Sequence, residues 1–495
     1  MKKKVNRLKR VGLALAGLGA IASSSAFAAM QIDTHGGLRV WDPCNSSYWF
    51  LLNGRLEFDE IYFSAPYRDR RSNFPSSANI RRAFLAFQGG IGECLTYNLT
   101  LDFGRSFANW VNTINPNDAE FANRGQLLNR NPFLHGHTLV EEAWLGYTGL
   151  WECTRIRLGQ FTPLTTMDGL SNYGTGNGQM FLESALATRA FSVPSYLDSD
   201  SRAMKGLGVI VETQICDVVT LAGTIYQPAH GSLNVYGDAR ASDRLGGAIR
   251  GTFSPIHEDG CVFHLGAMGR YQTLNSTDGT QRFGTTAIRN TLFFTTPEVT
   301  PRNYVGNPRN VSAVTTNDPN LLNIGAQRVK SYATASVEAL GIWGPITLQG
   351  EGHYAQINRL ADGSAADPDV NTRTLSDRRW FYGWHLQGGY VLTGESRCYD
   401  FANGGLCGIK PCNPYGAWEV VARYSRLHLN NKDIWGGSEH NVTVGLNWYA
   451  NDNVRVAFNY IRANILPTGT RAGTKDNTVV NRHLDIFGAR LQVVF

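Results

Sequence analysis

Leu95-Thr96-Tyr97-Asn98-Leu99-Thr100-Leu101-Asp102-Phe103 alternates without a break, with every odd position apolar and every even one polar. Successive side chains of a strand point to opposite faces, so this stretch has one greasy face and one wet face. Asn441-Val442-Thr443-Val444-Gly445-Leu446-Asn447-Trp448 repeats the pattern. So does Val454-Arg455-Val456-Ala457-Phe458-Asn459-Tyr460, after the turn formers Ala450-Asn451-Asp452-Asn453. A soluble sandwich would alternate in the same way. Three features separate the two cases.

The alternating segments run to about ten to fourteen residues, which suits a tilted membrane strand better than the usual five or six. Aromatic residues crowd their ends, as in Tyr48-Trp49-Phe50, Tyr62-Phe63, Trp380-Phe381-Tyr382 and Trp448-Tyr449, and such rings prefer the membrane–water interface. The chain closes on the alternating run 484–495 with a terminal Phe495, an end that outer-membrane barrels share by analogy and that the barrel-assembly machinery reads. Mean hydropathy is −0.24, which excludes a helical membrane protein but not a barrel that hides its lipid-facing side chains by alternation.

Connections fall into two sets. Short ones lie near 91–94, 150–153, 215–217, 255–260, 342–345 and 450–453. Long polar ones lie near 64–78, 106–137, 163–203, 229–242, 274–327, 359–379 and 465–481. Short periplasmic turns and long external loops are the rule for such barrels. The breaks leave about sixteen strands, a size that encloses water. The expected fold is therefore all-β: a transmembrane, antiparallel, up-and-down barrel over 49–495, preceded by a short periplasmic segment over 29–48.

Residues 1–28 have the three parts of a secretory signal peptide. The basic group is Lys2, Lys3, Lys4, Arg7, Lys9 and Arg10, an apolar run covers 11–22, and small residues end in Ala26-Phe27-Ala28. The chain carries 46 Lys plus Arg against 40 Asp plus Glu. Removing the six basic residues of the leader balances them, so the pI near 8.8 points to no nucleic-acid partner.

The eight cysteines are Cys44, Cys94, Cys153, Cys216, Cys261, Cys398, Cys407 and Cys412. Strand parity puts all of them on the periplasmic side, the last three in the one longer turn there, 394–416. An even count in an oxidising compartment suggests disulfides, within one molecule or between molecules, with the connectivity open. Their spacing is no tight ligand set, and neither a metal nor a cofactor is expected. An enzyme is not expected either: the histidines are scattered, with His353 and His385 on separate strands, and no nucleophile motif stands near them.

Further residues resemble the phosphate- and polyphosphate-selective porin family. They are Arg81-Arg82-Ala83-Phe84-Leu85, Glu141-Glu142-Ala143-Trp144, Arg157-Leu158-Gly159-Gln160-Phe161, Gly383-Trp384-His385-Leu386-Gln387, Leu392-Thr393-Gly394-Glu395-Ser396-Arg397, Asn413-Pro414-Tyr415-Gly416-Ala417-Trp418-Glu419, Ala422-Arg423-Tyr424-Ser425-Arg426-Leu427 and Gly445-Leu446-Asn447-Trp448-Tyr449. The resemblance implies a homotrimer in the Gram-negative outer membrane, and a third external loop, here 163–203, that folds inward. In anion-selective members that loop carries a Lys and then a Glu-Arg pair. Here the Glu is Glu183, the Arg is replaced by Ser184 and the Lys by Asn177.

Alternation assigns Arg155, Arg157, Arg423, Arg455, Arg490 and Asp102 to the wet face, together with Glu419 and one of Glu141 or Glu142. Arg189, Arg202 and Lys205 lie in or just after the inward loop. With charge balanced and the loop pair lost, the expected function is passive diffusion of small hydrophilic solutes and ions, with at most an anion preference. The alternatives are a phosphate-selective channel, or a structural or adhesive outer-membrane protein cross-linked through cysteine.

Overall fold

The computed structural model describes residues 31–33, 36–42, 47–64, 77–104, 139–171, 178–192, 205–229, 245–273, 294–295, 322–324, 329–359, 377–466 and 482–495. The leader, Cys44, Asn177 and Arg202 lie outside them, as does most of 274–327.

Sixteen long strands form one antiparallel sheet. They are β1 (Trp49–Phe63), β2 (Ser77–Ile91), β3 (Leu95–Asp102), β4 (Leu139–Tyr147), β5 (Thr154–Phe161), β6 (Lys205–Ile215), β7 (Val219–Ala229) and β8 (Gly246–Glu258). The second half holds β9 (Cys261–Thr273), β10 (Val329–Trp343), β11 (Ile346–Arg359), β12 (Asp377–Val391), β13 (Ala417–Asn431), β14 (Ile434–Tyr449), β15 (Val454–Leu466) and β16 (Arg482–Val494). Each pairs with its neighbours in sequence, and β16 returns to β1 with Ile486 opposite Phe63 and Val494 opposite Arg55. The barrel is closed, so no run of these strands is left as an open edge in lipid.

The faces are reversed relative to a soluble protein. On β3, Leu95 and Leu99 are exposed whereas Asn98, Thr100 and Asp102 are buried. Leu158, Ile225, Ile249 and Leu386 are each more than half exposed, at 61%, 63%, 64% and 57%, which hydrocarbon makes favourable. The alternation over 95–103 thus has its greasy side outward.

Turn chemistry is local. Cys216 and Asp217 both take φ near 52°, the left-handed pair that joins twisted strands in two central residues. At the opposite end the connections are long, with one difference from the sequence pattern: β13 and β14 are joined through Lys432 and Asp433 alone, Asn431 pairing with Ile434.

The segment before the barrel is built into it. Leu38–Trp41 pairs with Trp49–Leu52 of β1, and Gln31–Asp33 pairs in turn with it. The chain end stops opposite Gly54, whose N–H and C=O both bond Phe495. Strand 38–41 therefore covers the part of β1 that β16 is too short to reach.

Candidate functional site

Two segments enter the barrel from opposite ends. The first is the third long connection. Its residues 178–188 are buried almost throughout, and Leu182, Leu186, Ala187 and Phe191 pack against Ile61, Tyr332, Phe381 and Leu427 of the wall. This is the inward loop expected over 163–203.

Guanidinium groups, three on the wall and one, Arg397, on the turn 394–416, hold the backbone carbonyls of this limb. Arg397 donates to Gly178 O at 3.2 Å, Arg455 to Met180 O at 3.1 Å, Arg490 to Leu182 O at 2.6 Å and Arg423 to Glu183 O at 3.0 Å. Asn447 adds a second bond to Met180 O at 2.9 Å, and Arg423 lies 4.3 Å over the Phe181 ring. A hydrogen bond from a charged donor contributes about 1.5–3 kcal/mol, so four of them fix the limb firmly.

Glu183 is the anchor. Its carboxylate accepts from Arg81 at 2.8 Å, Arg82 at 2.9 Å and Arg490 at 2.9 Å. Arg82 also meets Glu57 at 2.6 Å, Arg490 grips Asp59 through two nitrogens at 2.6 and 2.7 Å, and Arg55 pairs with Glu57. Four arginines and three carboxylates thus share the β16–β1–β2 seam. Arg55, Glu57 and Asp59 went unassigned at the level of sequence, yet they alternate with Leu56 and Phe58, the signal that marked the other wet-face residues. Ser184 bonds Asp168 O at 2.9 Å, an internal tie of the loop rather than a group aimed at solute.

The loop's other limb meets carboxylates. A short helix, Met167–Leu170, begins there. Its leading N–H groups donate to Glu338 at 2.8 Å, from Met167, and to Glu351 at 2.7 Å, from Asp168. The first N–H groups of any helix lack internal partners.

The second entering segment is a surprise. The 394–416 turn carries a hairpin, Arg397–Asp400 paired with Gly405–Ile409, and it bends up into the lumen. Tyr399 bonds Ser254 and His264, each at 2.7 Å. Arg250 holds Asn403 O and Gly404 O, each at 2.7 Å, and pairs with Glu338. Arg397 is fully buried against Glu419, at 2.6 and 2.7 Å, and Tyr449. Leu406 packs with Met167, Met180 and Phe181. The two segments touch at Gly178, where a Cβ would stand 1.9 Å from Leu406 O, so only glycine fits.

A cavity of about 440 Å³ lies along the β4–β8 wall. Arg155, Arg157, Arg250, Glu142 and Glu212 line it, with Thr162, Thr165 and the hairpin tip residue Asn403. Arg155 and Arg157 share Glu212, and Arg157 also lies 5.1 Å over the Trp144 ring.

Of the residues alternation puts on the wet face, Arg155 and Arg157 line this cavity, Arg423, Arg455 and Arg490 hold the loop, and Glu419 holds Arg397. Asp102 accepts from the N–H groups of Gly104 at 2.8 Å and Ala83 at 3.4 Å. Arg189 stands on the turn Thr188–Ser192 at the back of the loop. One assignment needs correction. Alternation allows only one of Glu141 and Glu142 inside, but Glu142 pairs with Thr100 and Val140 with Leu101, which leaves Glu141 as a bulge. Glu142 then bonds Asn98 at 3.1 Å while Glu141 pairs with the buried Lys205 at 2.5 Å.

The seven described cysteines all lie at the short-turn end or in its hairpin, and none is bonded to another. Cys398 and Cys407 face each other across the hairpin. The hydrogen bond from Cys407, helped by Lys410, holds the Cys398 thiol down to about 7, and the same bond and burial push Cys407 up.

A closed barrel, greasy outside and charged inside, narrowed by an inward loop, defines a porin channel of the outer membrane. The chain belongs to the phosphate-selective porin O and P family, whose match covers residues 50–495. It is 25% identical to Porin O of Pseudomonas aeruginosa across 99% of this chain and 100% of that protein. It is 23% identical to an uncharacterized protein of Caulobacter vibrioides across 90% of this chain and 74% of that one. The solved anion-selective porin from Comamonas acidovorans overlaps with a TM-score of 0.46 at 10% identity, covering 90% of this chain and 99% of that one. The protein is an integral outer-membrane channel and not an enzyme.

Proposed function

We propose that this porin passes small hydrophilic solutes and ions with a mild anion preference, and that it is not a phosphate trap. One observation carries the reading. Arg397, Arg423, Arg455 and Arg490 are committed to loop carbonyls and carboxylates, while Arg155 and Arg157 on the open cavity share one acid, Glu212. A constriction selects by fixed charge in a low-dielectric wall, and here that charge is weakly positive and partly neutralised. Single-channel recording in a planar bilayer tests this. The expected result is a small reversal potential favouring chloride and little effect of phosphate; strong block of chloride current by millimolar phosphate would overturn it.

The same reading includes removal of 1–28, assembly as a homotrimer and delivery through the C-terminal Phe495 strand. Intact mass and unheated gel migration measure the first two. Among the cysteines, the pair Cys398 and Cys407 is the favoured bridge within one chain. Cys153, Cys216 and Cys412 are exposed and suit links between molecules, which a ladder on a non-reducing gel would reveal.

A further inference from the structure

Three side chains on the wall opposite the arginines take no part in lining the open cavity. Glu351 and His353 stand two apart on β11, and the register sets Glu351 directly across from His385 on β12. All three are buried. One ligand atom from each lies within 4.8 Å of the other two, and the imidazole rings stack with centroids 6.3 Å apart. Ordinary sequence spacing gives no reason to join His353 with His385; the strand pairing does.

Two details point to a ligand. Ser336 Oγ bonds His353 Nδ1 at 2.8 Å. With Nδ1 engaged by Ser336, Nε2 is the ring nitrogen open to a metal; it lies 3.4 Å from Glu351 Oε2 and 3.3 Å from Thr188 Oγ1, whose contact a bound ion would replace, and anchoring the distal nitrogen in this way is how metal-binding histidines are oriented. His385, only 2% exposed, has no hydrogen-bond partner at either ring nitrogen among the described residues, and neither has Ser425 Oγ, whose residue is its register partner on β13. A buried imidazole with two unsatisfied nitrogens beside a carboxylate and a second imidazole is a polar space waiting for an occupant.

We propose that Glu351, His353 and His385 form a site for a divalent first-row transition ion, for which zinc is the probe. Two imidazole nitrogens and one carboxylate oxygen favour such an ion over magnesium or calcium, which prefer oxygen alone. Ligand bonds of about 2.0–2.2 Å require these atoms, now within 4.8 Å of one another, to draw closer around the ion. Occupation is coupled to the inward loop, because Glu351 also accepts from Asp168 N at 2.7 Å and Thr188 Oγ1 lies 3.3 Å from both Glu351 and His353.

The test uses full-length protein in detergent, reduced, alkylated at its thiols and stripped with chelator. Zinc titrated by calorimetry should saturate at one ion per chain, and cobalt should give the visible absorption of a nitrogen–oxygen site without a sulfur band. His385→Ala should weaken zinc by about tenfold or more, and His385→Gln serves if the alanine variant does not fold. No zinc retained by the unsubstituted chain, or equal affinity in the folded His385 variant, overturns the proposal. The readout is binding in detergent, so it stands or falls separately from conductance.

Discussion

The two limbs of the inward loop are fastened by opposite chemistry. Residues 178–183 present carbonyls, and they are met by Arg455, Arg490 and Arg423 of the wall and Arg397 of the entering hairpin. Residues 167–168 open a helix and present N–H groups, and the wall answers with Glu338 and Glu351. Lumen charge in this channel is thus distributed largely by the backbone group it must hold. A porin that spends its arginines on its own loop has fewer to offer a passing anion.

Breaking the arginine-held limb should have the largest effect. Glu183→Gln removes the carboxylate shared by Arg81, Arg82 and Arg490 and leaves this buried arginine cluster one counter-charge short. A broken buried pair costs about 3–5 kcal/mol, so the urea midpoint should fall and single-channel current should rise as the loop loosens. An unchanged midpoint with unchanged current would show that the seam does not hold the loop. Next comes the contact between the two entering segments. Gly178→Ala puts a methyl 1.9 Å from Leu406 O, and such overpacking costs about 1–3 kcal/mol. Cys407 should then react faster with maleimide, and equal rates would count against the close fit.

The carboxylate-held limb should respond less. Glu338→Gln keeps an acceptor for Met167 N while discarding the charge that faces Arg250. A loss of about 1–3 kcal/mol is expected. If it matched Glu183→Gln, the two limbs would not differ as described. The smallest effect is one of reactivity. Cys398 is held down to about 7 by the Cys407 hydrogen bond. The thiolate is the nucleophile, so its alkylation should climb through pH 7 and level off above it. A rise centred near pH 9 would refute the pairing, and Cys407→Ala, which removes the donor, should move the curve upward.

Much of the barrel was legible because lipid forces a rule on every second residue. Leu95–Phe103 and Val454–Tyr460 obey it, and alternation placed Arg423, Arg455 and Arg490 inside. The rule is local, and it fails where the fold brings distant parts together. The 394–416 segment has the composition of a polar turn, yet Arg397 reaches Gly178, 219 residues away. Glu141 escapes alternation through a bulge that only its partner strand defines. Glu351 and His385 become neighbours through register, which no spacing within one strand encodes.

The seam between β16 and β1 bears on how the molecule is made. Arg490 in the last strand clasps Asp59 in the first, and both converge with the loop anchor Glu183. Phe495, the terminal residue, supplies both bonds to Gly54. A chain still missing its final dozen residues has neither the closing strand nor Arg490, one of the guanidiniums that seat the loop. Closing the cylinder and completing the loop's anchorage therefore draw on the same last residues, and a truncated copy would be unsealed with its loop one tie short.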